Sequence, residues 1–408
     1  MPLFSYTYYD STGQLVQGTA ESKDEQTIRA NFSSQGLQLE QVKLAQNVIR
    51  KKRVFGRVKL NNLSLFCRQF SAMVDAGVSL VRCIEVLSDQ TTDPILKPEL
   101  IHIGEQIQAG ESLSQSMKQY PKTFNNLFIG LIRAGEVGGV LDKVLRRLAY
   151  FLEKEVDLRR KVRAALTYPT LVLVASVGIV IFLVSWVVPQ FSKLFEGIGI
   201  KQTEFPATTK FLINLSVLFT EGWYKVLLGI LITGTGTKFF FQTSYGNHLK
   251  DKIKLRMPVF GALHHKVCMT RFSRTLSTLL GSGVPILQAM ETVADTVGNV
   301  VIADVILQAR ERIREGERIA DPLRNSGWFP PMVVHMIHIG EESGSIDAML
   351  EKVADFYDSE IDSTLQSLTA ALEPIMIVVL GVIVLFIVMA MFMPAIQVMN
   401  ELSSGNYE

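Results

Sequence analysis

Few side chains in this 408-residue chain have the types and spacing to coordinate a metal or move a proton. His264 and His265 lie near Cys268, but they follow a Pro-Val-Phe-Gly turn, and a surface role suits them better than a metal site. His335, His338 and Glu341 fall at i, i+3 and i+6 of an expected helix. The matching stretch earlier in the chain has Gly130, Arg133 and Glu136 there, so the two stretches share no ligand set. The run Gly234-Thr235-Gly236-Thr237-Lys238 lacks the G-x-x-x-x-G-K-[ST] spacing that cradles a phosphate. Spacing nominates no Ser-His-Asp or Cys-His set. These residues point away from an enzyme and from any cofactor or metal.

The better candidates come as a pair. Gly135, Glu136, Gly139 and Asp142 recur as Gly340, Glu341, Gly344 and Asp347. Two glycines let backbones approach closely and leave a carboxylate beside the turn. Two readings stand. One is a helix-connecting turn with a solvated acid. The other is a surface for partner docking or self-association, with a hard cation held by the carboxylates as its extension.

These loops sit inside a duplication covering about residues 63–189 and 272–394. Phe66, Phe70, Met73 and Val74 fall at i, i+4, i+7 and i+8, the core stripe of a helix, and Phe272, Leu276, Leu279 and Leu280 repeat it. Arg68 corresponds to Arg274. Each stripe stops at a Gly-Val pair, Gly77-Val78 or Gly283-Val284, and Ser79 and Pro285 restart a helix in matching places. A repeat of this length is the first organisational signal in the chain.

Each copy ends in an uncharged apolar run bracketed by prolines, Pro169 to Pro189 and Pro374 to Pro394. Twenty residues of helix reach about 30 Å, the thickness of a bilayer core. Trp186 lies near the end of the first run, where an interfacial aromatic is favoured. A third run, residues 222–241, has Lys225 and Lys238 placed to snorkel. Its alternative is an amphipathic surface helix. The duplication favours a span, because three crossings put both copies on one side of the membrane and two would separate them. Lys154, Arg159, Arg160, Lys161 and Arg163 before the first run, and Lys250, Lys252, Lys254 and Arg256 after the third, place both copies in the cytoplasm. Residues 190–221 and the tail, 395–408, are then external.

Composition agrees with soluble domains tied to a few spans. The chain is 48% hydrophobic yet 20% charged, and its net charge of +2 gives no field for nucleic acid. Cys67, Cys83 and Cys268 lack paired spacing and read as reduced packing residues. The N-terminus has no basic, apolar leader, so internal spans are expected to direct insertion. Residues 1–45 read as a ββαβ module: Phe4, Tyr6 and Tyr8 alternate, a second strand follows the turn at Asp10–Gly13, Ser22 and Glu25 form a capping box, and Leu37, Leu39 and Val42 mark a last strand. Residues 46–60 carry Arg50, Lys51, Lys52, Arg53, Arg57 and Lys59, either as a solvated linker or in contact with anionic lipid or an acidic partner.

The segments "FSRTLSTLLGSGVPILQAMETVADTVGN", "LTYPTLVLVASVGIVIFLVSWVVPQF", "IGEESGSIDAMLEKVADFYDSEID" and "LEPIMIVVLGVIVLFIVMAMFMP" resemble the inner-membrane platform proteins of type IV pilus and type II secretion machines, the PilC/GspF family. The opening "FSYTYYDSTGQLVQGTAES" resembles that family's N-terminal module. The resemblance implies an all-α membrane protein with two homologous cytoplasmic six-helix bundles, residues 61–168 and 242–373, and three transmembrane helices, residues 169–189, 222–241 and 374–394. It also implies self-association in a bacterial inner membrane, a hexameric cytoplasmic ATPase as partner, pilin or pseudopilin subunits as cargo, and neighbouring inner-membrane alignment proteins. No catalytic residue is carried over. The pilus branch is the expected one, with a secretion platform as its alternative. A solute permease would want ionisable residues in mid-membrane, which the first and last runs lack, and a passive membrane adaptor is the remaining rival.

Overall fold

A computed structural model of the chain describes residues 3–9, 15–21, 27, 38–44, 56–197, 205–258 and 260–403. It divides into two units, Met1–Arg57 and Val58–Glu408. In the first unit, β1 (Leu3–Tyr9) is the central strand of an antiparallel sheet between β2 (Leu15–Glu21) and β3 (Gln38–Leu44). Phe4 is paired with Ala20 on one side and Leu44 on the other, and the β1–β3 register shifts between Thr7 and Tyr8. The helix expected over residues 22–36 lies, apart from Thr27, outside the described residues, as do residues 46–55 of the basic linker.

The second unit is helical. The first copy runs through α1 (Leu60–Asp75), α2 (Leu80–Gln90), α3 (Leu96–Gln108), α4 (Leu113–Lys118), α5 (Asn126–Gly138) and α6 (Leu141–Phe182). A π-helical turn, Leu183–Val187, leads from α6 into α7 (Val188–Gly197). Then come α8 (Ala207–Thr220), α9 (Trp223–Gln242) and α10 (Ser244–Arg256). The second copy repeats the layout of the first as α11 (Phe260–Gly281), α12 (Ile286–Thr296), α13 (Val300–Arg314), α14 (Ala320–Asn325), α15 (Pro331–Ser343) and α16 (Ile346–Ser403).

The apolar stripes are where the sequence put them. Phe66, Phe70, Phe272, Leu276 and Leu279 are buried, with Met73, Val74 and Leu280 packed against them. The buried cores of the two copies are continuous. α1 stops because Gly77 takes φ 79° and lets the Val78 N–H reach back to the Met73 carbonyl at 3.0 Å. α11 stops the same way, with Gly283 at φ 81° and Val284 on Leu279 at 3.1 Å, a left-handed turn that glycine adopts without a Cβ penalty.

Among the described residues, two helical rods are long and apolar enough to cross a membrane: Leu141–Phe195, and Ile346–Ile396 within α16. In each, the bundle helix continues into the apolar run without a break. The bracketing prolines therefore lie inside or beside continuous helices and not at helix ends. Pro169 is within α6, Pro374 and Pro394 are within α16, and Pro189 is the second residue of α7. A proline lacks an N–H and crowds the carbonyl four residues back, so each helix needs a local remedy. Before Pro189 the helix loosens into the π-turn. At Pro394 the freed Ala390 carbonyl accepts the Thr209 hydroxyl at 2.5 Å. That bond docks α8 on the last apolar run, where Leu212 joins Val184, Val188, Ile387 and Met391 in a separate apolar cluster.

α8 and α9 meet at 83° and together meet the length and composition of a broken span. Among the described residues, α9 leaves most of its apolar side chains uncovered. Trp223, Leu227, Leu228, Leu231 and Ile232 are all exposed, as are Leu171, Val174, Ile377 and Val378 on the two rods. Apolar surface of this extent fits a lipid or protein environment and not water.

Candidate functional site

The paired loops are built by the same local chemistry in both copies. Gly139 (φ 65°) and Gly344 (φ 67°) end α5 and α15 in left-handed turns. The Val140 N–H returns to the Gly135 carbonyl at 3.0 Å, and the Ser345 N–H to the Gly340 carbonyl at 2.9 Å. Gly135 and Gly340 lie where the next helix crosses. A Cβ on Gly135 would meet Val144 at 3.1 Å, and one on Gly340 would meet the Ile346 Cα at 2.7 Å.

The glutamates face inward. The Glu136 carboxylate accepts the Leu113 N–H at 2.6 Å and the Ser114 N–H at 3.2 Å, at the start of α4. Glu341 accepts the N–H groups of Ile319 and Ala320, the latter at 3.2 Å, at the start of α14. A carboxylate there satisfies orphan donors of a helix first turn. Both glutamates are thus spent on closing their own bundles. Asp142 and Asp347 lie in the first turns of α6 and α16, half-buried, and the Asp347 carbonyl accepts the Ser277 hydroxyl at 2.8 Å. Among the described residues, no three His, Cys, Asp or Glu side chains converge as a metal site.

The histidine clusters are likewise packed. His265 donates from Nε2 to the Trp328 carbonyl at 2.8 Å, and Asn299 donates to His264 at 3.3 Å. Burial lowers the pKa of His264 and raises that of Cys268 to about 12, so both are neutral. His338 approaches Glu342 at 3.4 Å, while Glu341 turns away to α14.

A feature with no local signal in the sequence is the seam between the copies. α6 and α16 run side by side above the apolar runs. Lys161 pairs with Asp362 at 2.7 Å, Lys154 approaches Asp358 at 3.9 Å, and the Tyr168 hydroxyl donates to Glu373 at 3.4 Å. Glu155 holds Arg271 of α11 at 2.6 Å. Leu158, Leu263, Ile361 and Leu365 close the seam beneath these charges. Helix caps also answer each other across the repeat. Asp93 accepts the N–H groups of Ile95 (2.9 Å) and Leu96 (3.1 Å), and Asn299 accepts those of Val301 (3.0 Å) and Ile302 (3.3 Å). Asp251 fixes α10 to the second copy by accepting the Val300 N–H at 3.0 Å.

Duplicated helical bundles, joined by a polar seam and continuous with two membrane-length apolar rods, define an internally repeated, membrane-embedded scaffold. The family model described as "Type II secretion system (T2SS), protein F" matches residues 66–189 and again residues 272–394, and the model of that protein's N-terminal domain matches residues 1–43. The chain belongs to the type II secretion system protein F family. It is 38% identical to the type IV pilus assembly protein PilC of Thermus thermophilus, over 99% of this chain and all of that one. It is 38% identical to the PilC of Myxococcus xanthus, over 94% and 92% of the two chains. It is 31% identical to the type II secretion system protein F of Vibrio cholerae, over 99% of this chain and all of that one.

Proposed function

We propose that the chain is the inner-membrane platform of a type IV pilus machine. In this reading it couples a cytoplasmic hexameric ATPase to insertion or removal of pilin subunits at the filament base. The observation that carries the reading is the continuity of α6 and α16, 42 and 58 residues long, from bundle core into apolar run. A displacement applied to either bundle would pass along an unbroken rod, because packed helices transmit strain in place of absorbing it. The two relatives at 38% identity are both named for pilus assembly, against 29–33% for the secretion proteins F, which supports the pilus branch over pseudopilin movement. Both bundles face the cytoplasm, residues 222–241, spanning most of α9, supply a third crossing, and residues 190–221 and the tail are external. Copies of the chain associate with one another and with alignment proteins of the same membrane. The exposed turns beside Val137 and Glu342 are the surfaces a partner would meet.

Inserting four glycines after Leu166 in α6 and after Leu368 in α16 tests the coupling. Folding and membrane integration should persist, and filaments seen by electron microscopy should disappear. Filaments at the normal number would reject a rigid relay, and loss of protein secretion without loss of filaments would move the chain to the secretion branch. Orientation is tested separately. Cys67, Cys83 and Cys268 are buried, so a cysteine introduced at Arg68 reports cleanly on access from either side of the membrane. Labelling of intact cells by an impermeant thiol reagent would reject the cytoplasmic assignment.

A further inference from the structure

The seam contains an open cavity of about 540 Å³ lined by α6, the end of α10 and the start of α11. Its walls are apolar: Leu158, Val162 and Leu166 from the first copy, Leu263 and Val267 from the second. Met257 and Phe260 line it as well and are partly exposed, at 43% and 37%. Arg159, Arg163, Lys254 and Arg271 also line it. Two carboxylates answer three of these four cations. Glu155 binds both Arg159 (2.9 Å) and Arg271 (2.6 Å), and Asp251 binds Lys254 at 2.9 Å. His264 in the wall is held neutral by burial. Four cations against two carboxylates leave a net charge of +2, and Arg163 is the one lining cation with no side-chain partner among the described residues.

The location narrows the ligand. Arg163 precedes Pro169 by six residues, or about 9 Å of helix, which places it at headgroup depth if the apolar run of α6 fills the bilayer core. A free phosphate would use the cations and leave the apolar wall empty. A zwitterionic lipid would use the wall and bring its own cation against Arg163. An anionic amphiphile satisfies both. We infer that this cavity holds one anionic phospholipid of the cytoplasmic leaflet, with its phosphate between Arg163 and Lys254 and an acyl chain along Leu158, Val162, Leu166 and Leu263. The inference rests on the membrane orientation given under the proposed function. Because the cavity is walled by both copies, the lipid braces one bundle against the other where the rods enter the membrane.

The test uses the full chain, purified in detergent and stripped of lipid. Phosphatidylglycerol or phosphatidylcholine of the same chain length is added, and bound lipid is counted by native mass spectrometry. One phosphatidylglycerol should be retained, and phosphatidylcholine should bind roughly tenfold more weakly or worse. The double substitution Arg163→Ala with Lys254→Ala should cut phosphatidylglycerol retention by roughly tenfold or more, whereas Arg163→Lys should keep it. Val162→Trp, which fills the apolar wall and leaves the cations, should also reduce it. Equal retention of the two lipids overturns the proposal, as does unchanged retention in both cavity variants. Displacement of phosphatidylglycerol by millimolar inorganic phosphate alone would assign the cations to a free anion and overturn it too. Retention in detergent does not depend on which side the bundles face, so a failure here leaves the orientation standing, and thiol labelling decides that question by itself.

Discussion

Glu155 of the first copy lies 2.6 Å from Arg271 of the second, and both side chains are largely shielded from solvent, at 13% and 23% exposure. A pair so placed is expected to matter more than its surface counterparts, because removing one partner leaves the other half-buried and unanswered. Glu155→Ala should therefore destabilise the protein by about 2 kcal/mol. Adding Arg271→Ala should recover part of that loss. Arg68 and Glu153, 3.3 Å apart and both exposed, supply the control, and Arg68→Ala should cost about 0.5 kcal/mol or less. Thermal unfolding in detergent, run as a double-mutant cycle, measures all three. Equal losses for Arg68→Ala and Glu155→Ala would mean that the seam contributes no special coupling.

The repeated loops predict an order among glycine substitutions. A methyl group on Gly340 meets the backbone of Ile346 at 2.7 Å, which cannot step aside, whereas on Gly135 the nearest atoms belong to the Val144 side chain at 3.1 Å. Gly340→Ala should lower stability by about 2–3 kcal/mol through overpacking, and Gly135→Ala by about 1 kcal/mol. Gly139→Ala meets nothing within 4 Å, yet should lose about 1 kcal/mol because its φ of 65° suits only glycine well. The reverse order in thermal midpoints would show that backbone conformation, and not helix crossing, sets the identity of these positions.

Acid should loosen the first bundle before the second at one specific cap. Burial alone would raise the Asp93 pKa, but hydrogen bonds from Asn62, Ile95 and Leu96 outweigh it and hold the carboxyl below its ordinary value. A depressed folded pKa means stability that is present above the unfolded value of about 3.9 and lost as pH falls through the lower folded one. The repeat mate, Asn299, caps α13 without titrating. Asp93→Asn should thus be no better than wild type at pH 6 and should lose less stability on going to pH 3. Parallel losses in thermal unfolding at the two pH values would remove Asp93 from the acid response.

These cases show which features the chain states locally. The stripe of Phe66 and Phe70, its echo in Phe272 and Leu276, and the Gly-Val stops are short-range patterns, so periodicity exposes them. The apolar runs are equally plain. The role of Glu136 is not legible, because its donors Leu113 and Ser114 lie on a helix start more than twenty residues earlier, and a Gly-Glu turn looks the same whether its acid faces solvent or a helix end. The fates of Arg68 and Arg274 diverge for the same reason. The two align in sequence, yet their side chains are 74% and 8% exposed, since only the second sits where the copies meet. The continuity of α6 and α16 was masked by Pro169 and Pro374, which read as boundaries when their neighbours are unknown.

The remedy for Pro394 gives the most specific prediction. That proline leaves the Ala390 carbonyl without its helical donor, and the Thr209 hydroxyl replaces it from α8. Thr209→Val keeps the shape and deletes the donor, so a buried carbonyl goes unsatisfied at a cost of about 1–3 kcal/mol. The loss should appear as faster amide exchange across α8, by about tenfold to a hundredfold, because this contact ties α8 to the last rod. Thr209→Ser should restore protection. Pro394→Ala returns an N–H to α16 four residues after Ala390, so in that background Thr209→Val should cost clearly less. If it costs the same with and without Pro394, the hydroxyl serves packing alone, and the docking of α8 owes nothing to the proline.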